Sequence, residues 1–248
     1  MIPSLPKQRK PALLTAALLL ALGLAGFVAV LWMARSSTGL AAIDGPLFHD
    51  LLRERSSGWT AFFAVVSTLA SPPWLASIVI FGAAIWAFFS RYWWRPALWV
   101  AAMAVSAAVS NIIKHLVGRH RPPIADMATG ANHSYSFPSG HTLGISVFIF
   151  TLAYLVLSRR FSAGRLLVWL LGAVVGIILV GLSRIYLGYH WLTDVSASVL
   201  LAAAFLGIVI LVDVFRPKRA DMPFRKSSTP ATEPTEEPQN PADTNDQR

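Results

Sequence analysis

Three short polar clusters stand where long apolar stretches of this chain end: Lys114 with Arg121-Pro122, Pro138-Ser139-Gly140-His141, and Ser183-Arg184 with His190 and Asp194. Ionisable groups at such places are costly in a membrane and usually functional. Snorkelling would account for any one of the cations, but not for the two histidines or the aspartate. Phosphoryl transfer gathers negative charge on the equatorial oxygens. Two arginine forks and one ammonium can cover three such oxygens, the arginines bidentately. Lys114, Arg121 and Arg184 are therefore candidate phosphate ligands.

Ser139, Gly140 and His141 follow Pro138 and open an apolar run, which places their N–H groups at a helix N-terminus, an anion site by geometry. Gly140 permits close backbone approach, and the Ser139 hydroxyl either caps the helix or bonds a phosphate oxygen. His190 and Asp194 are four apart and share a helical face if the helix begins before Trp191. A carboxylate there accepts from one ring nitrogen, fixes the tautomer, and leaves the other nitrogen as a nucleophile. Asp194 is the only acidic residue between Asp126 and Asp213, so it needs a partner, and His190 is the natural one. Taken alone, each of the two reads as a satisfied interfacial polar group; the pair favours catalysis.

The elements that position these groups follow from composition. With 55% hydrophobic and 13% charged residues and a mean hydropathy of +0.56, the 248-residue chain is no soluble globular domain. It reads as an all-α polytopic membrane protein. The absence of cysteine excludes a disulfide framework and a thiolate nucleophile and leaves the redox compartment open. A formal charge of +9 invites a nucleic-acid reading, but the basic residues flank apolar runs and form no continuous face.

Six stretches approach the length needed to cross about 30 Å of hydrocarbon: roughly 12–34, 73–90, 96–117, 141–158, 165–183 and 192–214. Between the first two, residues 44–71 carry Asp50, Arg53 and Glu54 beside Phe62, Phe63, Val65 and Val66, which predicts an interfacial amphipathic helix or a partly re-entrant segment. Lys7, Arg9 and Lys10 before the first run raise a signal peptide, but the run is long enough for a full span, so an uncleaved helix is expected.

With the N-terminus inside, fourteen basic residues fall in the inner segments: Lys7, Arg9, Lys10, Arg91, Arg95, Arg159, Arg160, Arg165, Arg216, Lys218, Arg219, Arg225, Lys226 and Arg248. Three fall outside, Arg35, Arg53 and Arg55, once Lys114, Arg119, Arg121 and Arg184 of the clusters are set apart. Both termini are then cytoplasmic and the clusters face outward, toward the periplasm or exterior in a bacterium. The organisation expected is a cytoplasmic N-terminus over 1–11, a membrane domain over 12–215, and a disordered tail over 216–248, where Pro, Thr, Ser and Glu replace apolar residues. Gly172 with Gly176, and Ala101, Ala104, Ala107 and Ala108, read as small-residue helix contacts.

Lys114 through Arg121-Pro122 matches K-x6-R-P, Pro138 to His141 is P-S-G-H, and Ser183 to Asp194 matches S-R-x5-H-x3-D. This three-part signature resembles the type 2 phosphatidic acid phosphatase family, integral-membrane lipid phosphate phosphatases whose phosphate site is similar to that of vanadium haloperoxidases. The resemblance covers about residues 60–215. It implies a phosphohistidine mechanism in which His190 attacks phosphorus, Asp194 orients it and His141 protonates the leaving oxygen. Lys114, Arg121, Ser139, Gly140 and Arg184 would hold the phosphoryl group, with Pro122, Pro138 and Ser183 behind them.

No cofactor is expected. His49, His115, His120 and His133 lack metal-ligand spacing with a carboxylate, although His120 and Arg119 lie near enough in sequence to touch a second phosphate. The substrate expected is a polyprenyl diphosphate such as undecaprenyl diphosphate, with phosphatidylglycerophosphate or phosphatidate as the runner-up. A catalytically silent lipid-binding or transport protein on the same scaffold would lack a catalytic histidine or aspartate, and this chain keeps all of them. Expected partners are the membrane and the lipid substrate, with no nucleic acid; the sequence does not define an oligomeric state.

Overall fold

The computed structural model describes residues 9–159 and 161–216. The first eight residues of the expected cytoplasmic N-terminus, and the tail from 217 onward, lie outside the described residues. Eight α-helices follow in order: α1 Arg9–Ser36, α2 Asp44–Arg53, α3 Ser57–Leu69, α4 Pro72–Ser90, α5 Trp94–Val117, α6 Gly140–Leu157, α7 Ala163–Tyr186 and α8 Leu192–Val214. Short 3-10 turns at Gly39–Ile43 and Ile124–Asp126 complete them, and no strand occurs among the described residues. Six of the helices, α1 and α4 to α8, are long and apolar enough to span a membrane. Each expected span is present within a few residues. Large apolar side chains such as Phe81, Phe88, Phe89, Leu116 and Val168 stand exposed on them, as a hydrocarbon surround requires.

Local chemistry sets the helix ends. Ser71 precedes Pro72 and Pro73, which suit the first turn of α4 because their missing N–H groups would have no intrahelical partner. Gly118, at φ 64°, ends α5 and returns its N–H to the Lys114 carbonyl at 3.0 Å. α6 starts at its Ser139 cap. α8 starts at Trp191, whose backbone N–H is accepted by the Asp194 carboxylate three residues on at 3.0 Å.

α8 is the central element, packed against α1, α6 and α5. α1 approaches it backbone to backbone: a Cβ on Gly23 would meet Ala204 N at 2.6 Å, and one on Gly207 would meet Ala16 O at 2.6 Å. Of the small-residue contacts expected from sequence, Gly176 faces α6, where a Cβ would meet Ile149 Cδ1 at 3.3 Å, and the others do not pack against a helix. A Cβ on Gly172 would meet nothing within 4 Å, and Ala101, Ala104, Ala107 and Ala108 are exposed rather than packed under a helix. Ala104 and Ala107 instead line an apolar cavity between α4, α5 and α6. The sequence pattern marks where a backbone is accessible, not which neighbour uses it.

Residues 44–71 form two helices, α2 and α3, rather than one segment. The break falls at Arg55, whose guanidinium leaves the chain to donate to the carbonyls of Tyr186 (2.8 Å) and Asp126 (2.6 Å). α3 then packs on the end of α7, with the Phe63 ring 4.7 Å from that of Tyr186. This brings Asp44 and Ser67, both buried, toward the polar end of the bundle.

Candidate active site

The C-termini of α5 and α7 and the N-termini of α6 and α8 converge with the loops 118–139 and 187–191. Lys114, in the last turn of α5, donates its three ammonium protons to the carbonyls of Tyr135 (2.9 Å), Ser136 (3.3 Å) and Pro138 (2.7 Å). It both pins the second cluster and carries charge into it. Arg121 has all five donors engaged: Nε on Ser134 O (2.7 Å), one terminal nitrogen on Tyr189 O (2.6 Å) and His190 Nε2 (3.2 Å), the other on Ser134 Oγ (2.9 Å) and Tyr135 O (3.3 Å). Arg184 donates to Ser67 Oγ and lies over the Tyr189 ring at 4.2 Å. Its Nε is buried with no hydrogen-bond partner among the described residues. A buried orphan donor on a cation is costly unless an anion arrives.

His190 and Asp194 meet as expected, Nδ1 to Oδ2 at 3.2 Å, but by a different route. His190 lies outside α8, in the turn before it, while Asp194 is the third residue of the helix. Since an arginine donates only, Nε2 faces Arg121 with its lone pair, and Nδ1 carries the proton toward Asp194. That tautomer is the nucleophilic one for Nε2. Burial pushes the His190 imidazole well below its ordinary range, and the charges of Arg121, Lys114 and Arg184 push the same way. The ring is therefore neutral. Burial also lowers the Arg121 pKa, with Asp194 opposing it, from a value high enough that the guanidinium keeps its charge.

Asp194 has more partners than the sequence indicated. Beside His190 and the Trp191 N–H, Oδ2 accepts from Ser136 Oγ, and Oδ1 accepts from Arg119 at 2.6 Å. Arg119 thus sits behind the aspartate instead of reaching toward a second phosphate.

The Ser139 hydroxyl resolves to the cap: it is fully buried and accepts from Thr142 N at 3.4 Å and Thr142 Oγ1 at 3.0 Å. The Ser139 N–H donates to Asp194 O at 3.3 Å, which leaves the N–H groups of Gly140 and His141, at the first positions of α6, for an anion. Pro122 and Pro138 are buried. Ser183 is buried too and bonds the Val180 carbonyl at 2.6 Å, behind the site. His141 is half-buried and lines a polar cavity of about 410 Å³ with Ser67, Thr68, Ser71 and Thr129. Lys114 and Gly140 close the end of the apolar cavity between α4, α5 and α6, about 370 Å³. The remaining histidines stay apart: His49, His115, His120 and His133 are exposed. Among the described residues no group of three or more His, Asp or Glu could hold a metal.

Asp44, Ser67, Ser136 and Thr193 escaped the sequence reading. For Asp44 a faint signal existed, an acid directly after the short apolar stretch 40–43. Ser67 and Thr193 carry none, since hydroxyls are common on such helices.

Comparison with known proteins gives the family and the fold. The PAP2 superfamily matches residues 95–218. Phosphatidylglycerophosphatase B of Bacillus subtilis (strain 168) is 32% identical over 150 residues, 58% of this chain and 71% of that protein. An undecaprenyl-diphosphatase of Sulfolobus acidocaldarius is 40% identical over 78 residues, 31% of this chain and 34% of that protein. The crystal structure of a transmembrane PAP2 type phosphatidylglycerolphosphate phosphatase from Bacillus subtilis superposes with a TM-score of 0.68 at 22% identity, covering 82% of this chain and 99% of that one. The chain belongs to the PAP2 superfamily. It is an integral membrane lipid phosphatase with the helical fold of that crystal structure.

Proposed function

We propose that the chain hydrolyses a lipid phosphate or diphosphate through a phosphohistidine at His190, with undecaprenyl diphosphate, converted to undecaprenyl phosphate, as the leading substrate. The observation that carries this reading is the neutral His190, its Nε2 lone pair turned toward Arg121 and backed by Asp194. An arriving phosphoryl group replaces Nε2 as the acceptor of the Arg121 N–H hydrogen bond, satisfies the orphan Arg184 Nε, and accepts from the Gly140 and His141 N–H groups. His190 Nε2 then attacks phosphorus while the phosphorus–oxygen bond to the leaving group breaks. His141 protonates that oxygen and afterwards takes a proton from the water that hydrolyses the phosphohistidine. Lys114 adds charge from behind the loop, Ser139 fixes the start of α6, and Pro122, Pro138 and Ser183 support the backbone.

The apolar cavity ending at Lys114 and Gly140 suits a lipid chain whose phosphate enters the site. The Sulfolobus relative's name supports a polyprenyl diphosphate. Phosphatidylglycerophosphate or phosphatidate is the second reading, favoured by the hydroxyl-lined cavity beside His141 and by the name of the Bacillus relative. The excess of basic residues in the inner segments supports cytoplasmic termini and a site at the outer face of a bacterial cytoplasmic membrane.

Purified protein assayed for phosphate release across these lipids tests the substrate order; no release from any of them removes the reading. A reporter fused after Lys226 should read cytoplasmic and one near Ala131 external. The reverse pattern would overturn the outer-face site.

A further inference from the structure

We infer that Asp44, at the start of α2 and outside the span matched by the family, is a positioning residue that acts on His190 through Arg119 and Asp194. The inference rests on the proposed role of His190 as nucleophile. Asp44 is buried and its carboxylate has three donors: Thr193 N–H at 2.9 Å, Thr193 Oγ1 at 2.6 Å and Arg119 at 2.8 Å. The first of these is an N–H of the opening turn of α8, which has no acceptor within its own helix. Asp44 therefore caps α8 from another helix.

The same carboxylate neutralises Arg119. One terminal nitrogen of Arg119 faces Asp44; the other gives one proton to Thr193 Oγ1 and one to Asp194 Oδ1, each at 2.6 Å. Every proton in this chain has one consistent direction: Arg119 to Thr193, Thr193 to Asp44, Arg119 to Asp194, His190 to Asp194. The Trp191 ring lies 5.9 Å from the Arg119 guanidinium and 5.5 Å from Phe48, and the two rings cover the network.

Without the Asp44 charge, Asp194 would be the one carboxylate among the described residues left facing Arg119. That draws electron density from the oxygen pair that holds the His190 Nδ1 proton, and frees the guanidinium to turn away from it. Either change weakens the Nδ1–H tautomer, and a proton on Nε2 removes the nucleophilic lone pair. The phosphate cradle of Lys114, Arg121 and Arg184 makes no contact with Asp44, so substrate binding is left in place.

The test uses the full chain in lipid vesicles. Asp44→Asn keeps the shape of the side chain and removes its charge. It should lower kcat about 10- to 100-fold, in the manner of other outer partners of a catalytic ligand, with KM for a lipid phosphate within about twofold. Nitrogen NMR of histidine-labelled protein should show His190 gaining the Nε2–H tautomer. Adding Asp44→Asn to Arg119→Gln should cost nothing further, because both act through one link. Asp44→Glu should recover part of the rate.

Wild-type kcat in Asp44→Asn, a loss confined to KM or thermal stability, or effects that multiply in the double variant would each overturn the inference. If Asp44→Asn fails to fold, Arg119→Lys carries the test, since one ammonium cannot reach Asp44, Thr193 and Asp194 together. A wild-type rate and histidine spectrum there would overturn it equally. His190→Ala, assayed in parallel, separates the two levels. Activity in that variant removes the nucleophile, whereas an inactive His190→Ala beside an unaffected Asp44→Asn removes only the role of Asp44.

Discussion

α8 carries a buried aspartate near each end, and the two have opposite fates. Asp213 accepts from Arg95 at 3.3 Å, Trp94 Nε1 at 3.0 Å, Tyr154 OH at 3.0 Å and Arg216 at 3.3 Å, while Arg95 also reaches the Leu155 carbonyl at 2.5 Å. The starts of α5 and α8's last turn are thereby tied to the end of α6. Asp194 also gathers an arginine, a backbone N–H and a hydroxyl, but its fourth partner is an imidazole whose far nitrogen faces a cluster of cations. A buried acid with arginine partners is thus a brace at one end and part of the proposed reactive site at the other. The difference lies in what the partner does with its second face: arginine only donates again, whereas neutral histidine presents a lone pair.

The sharpest way to break this contrast is His190→Ala. Turnover should fall to background, a loss of roughly 10⁴-fold or more by comparison with removal of other catalytic nucleophiles, with the thermal midpoint little changed. Phosphate release at the wild-type rate would make the two ends alike, both merely structural.

Next in size is Arg184→Lys. The orphan Nε and the position over Tyr189 are properties of a guanidinium. An ammonium keeps the charge and loses the fork, so kcat/KM should drop about 10- to 100-fold, the worth of one or two charge-assisted hydrogen bonds. Inhibition by orthovanadate, which resembles the phosphoryl transfer state, should weaken in parallel. Unchanged vanadate inhibition would show that Arg184 contributes charge alone.

A smaller effect is expected in the pH profile. In the proposed mechanism His190 must be neutral to attack, and burial holds its pKa well below the ordinary value near 6.5. A lowered pKa keeps the ring deprotonated as pH falls through 6.5, so the acid limb of kcat/KM assigned to this group should lie clearly below that point. It is measured with a substrate whose own ionisation has been titrated separately. An acid limb at 6.5 or above, matched by titration of the His190 ring at the same pH in the nitrogen NMR spectrum of histidine-labelled protein, would contradict the buried neutral histidine.

The sequence made the spans legible because each is a long uninterrupted apolar run, and it exposed the cluster because ionisable residues beside such runs are rare. His190 and Asp194 were found by spacing, although the helix begins after Trp191, because a turn closing on its own N-terminus brings the same two side chains together. Asp44 and Ser67 were not found. Their segment mixes Asp50, Arg53 and Glu54 with aromatic residues in a way that suits the interface as well as the interior, and distant contacts such as the Arg55 anchor on Tyr186 and Asp126 and the Phe63 ring on Tyr186 turn it inward. Local periodicity holds no record of a contact across more than a hundred residues. The Asp213 brace was equally invisible, since Arg95 and Arg216 read as ordinary flanking charges of the kind that sets topology.

The smallest expected effect on turnover belongs to the other end of α8, and it completes the comparison. Asp213→Asn removes the carboxylate charge from Arg95, whose side chain is 9% exposed and whose Nε has no partner among the described residues. Breaking a buried pair by removing one partner leaves an uncompensated charge, a loss on the order of 3–5 kcal/mol. That loss should appear as a lower thermal midpoint in detergent, with kcat of the protein that remains folded unchanged, because no residue of the brace touches the cluster around His190. Asp213→Asn with Arg95→Met, which removes both charges and keeps an apolar stem, should recover much of the stability. A fall in kcat at full stability would mean that the two ends of α8 are coupled, and that the brace also serves the chemistry.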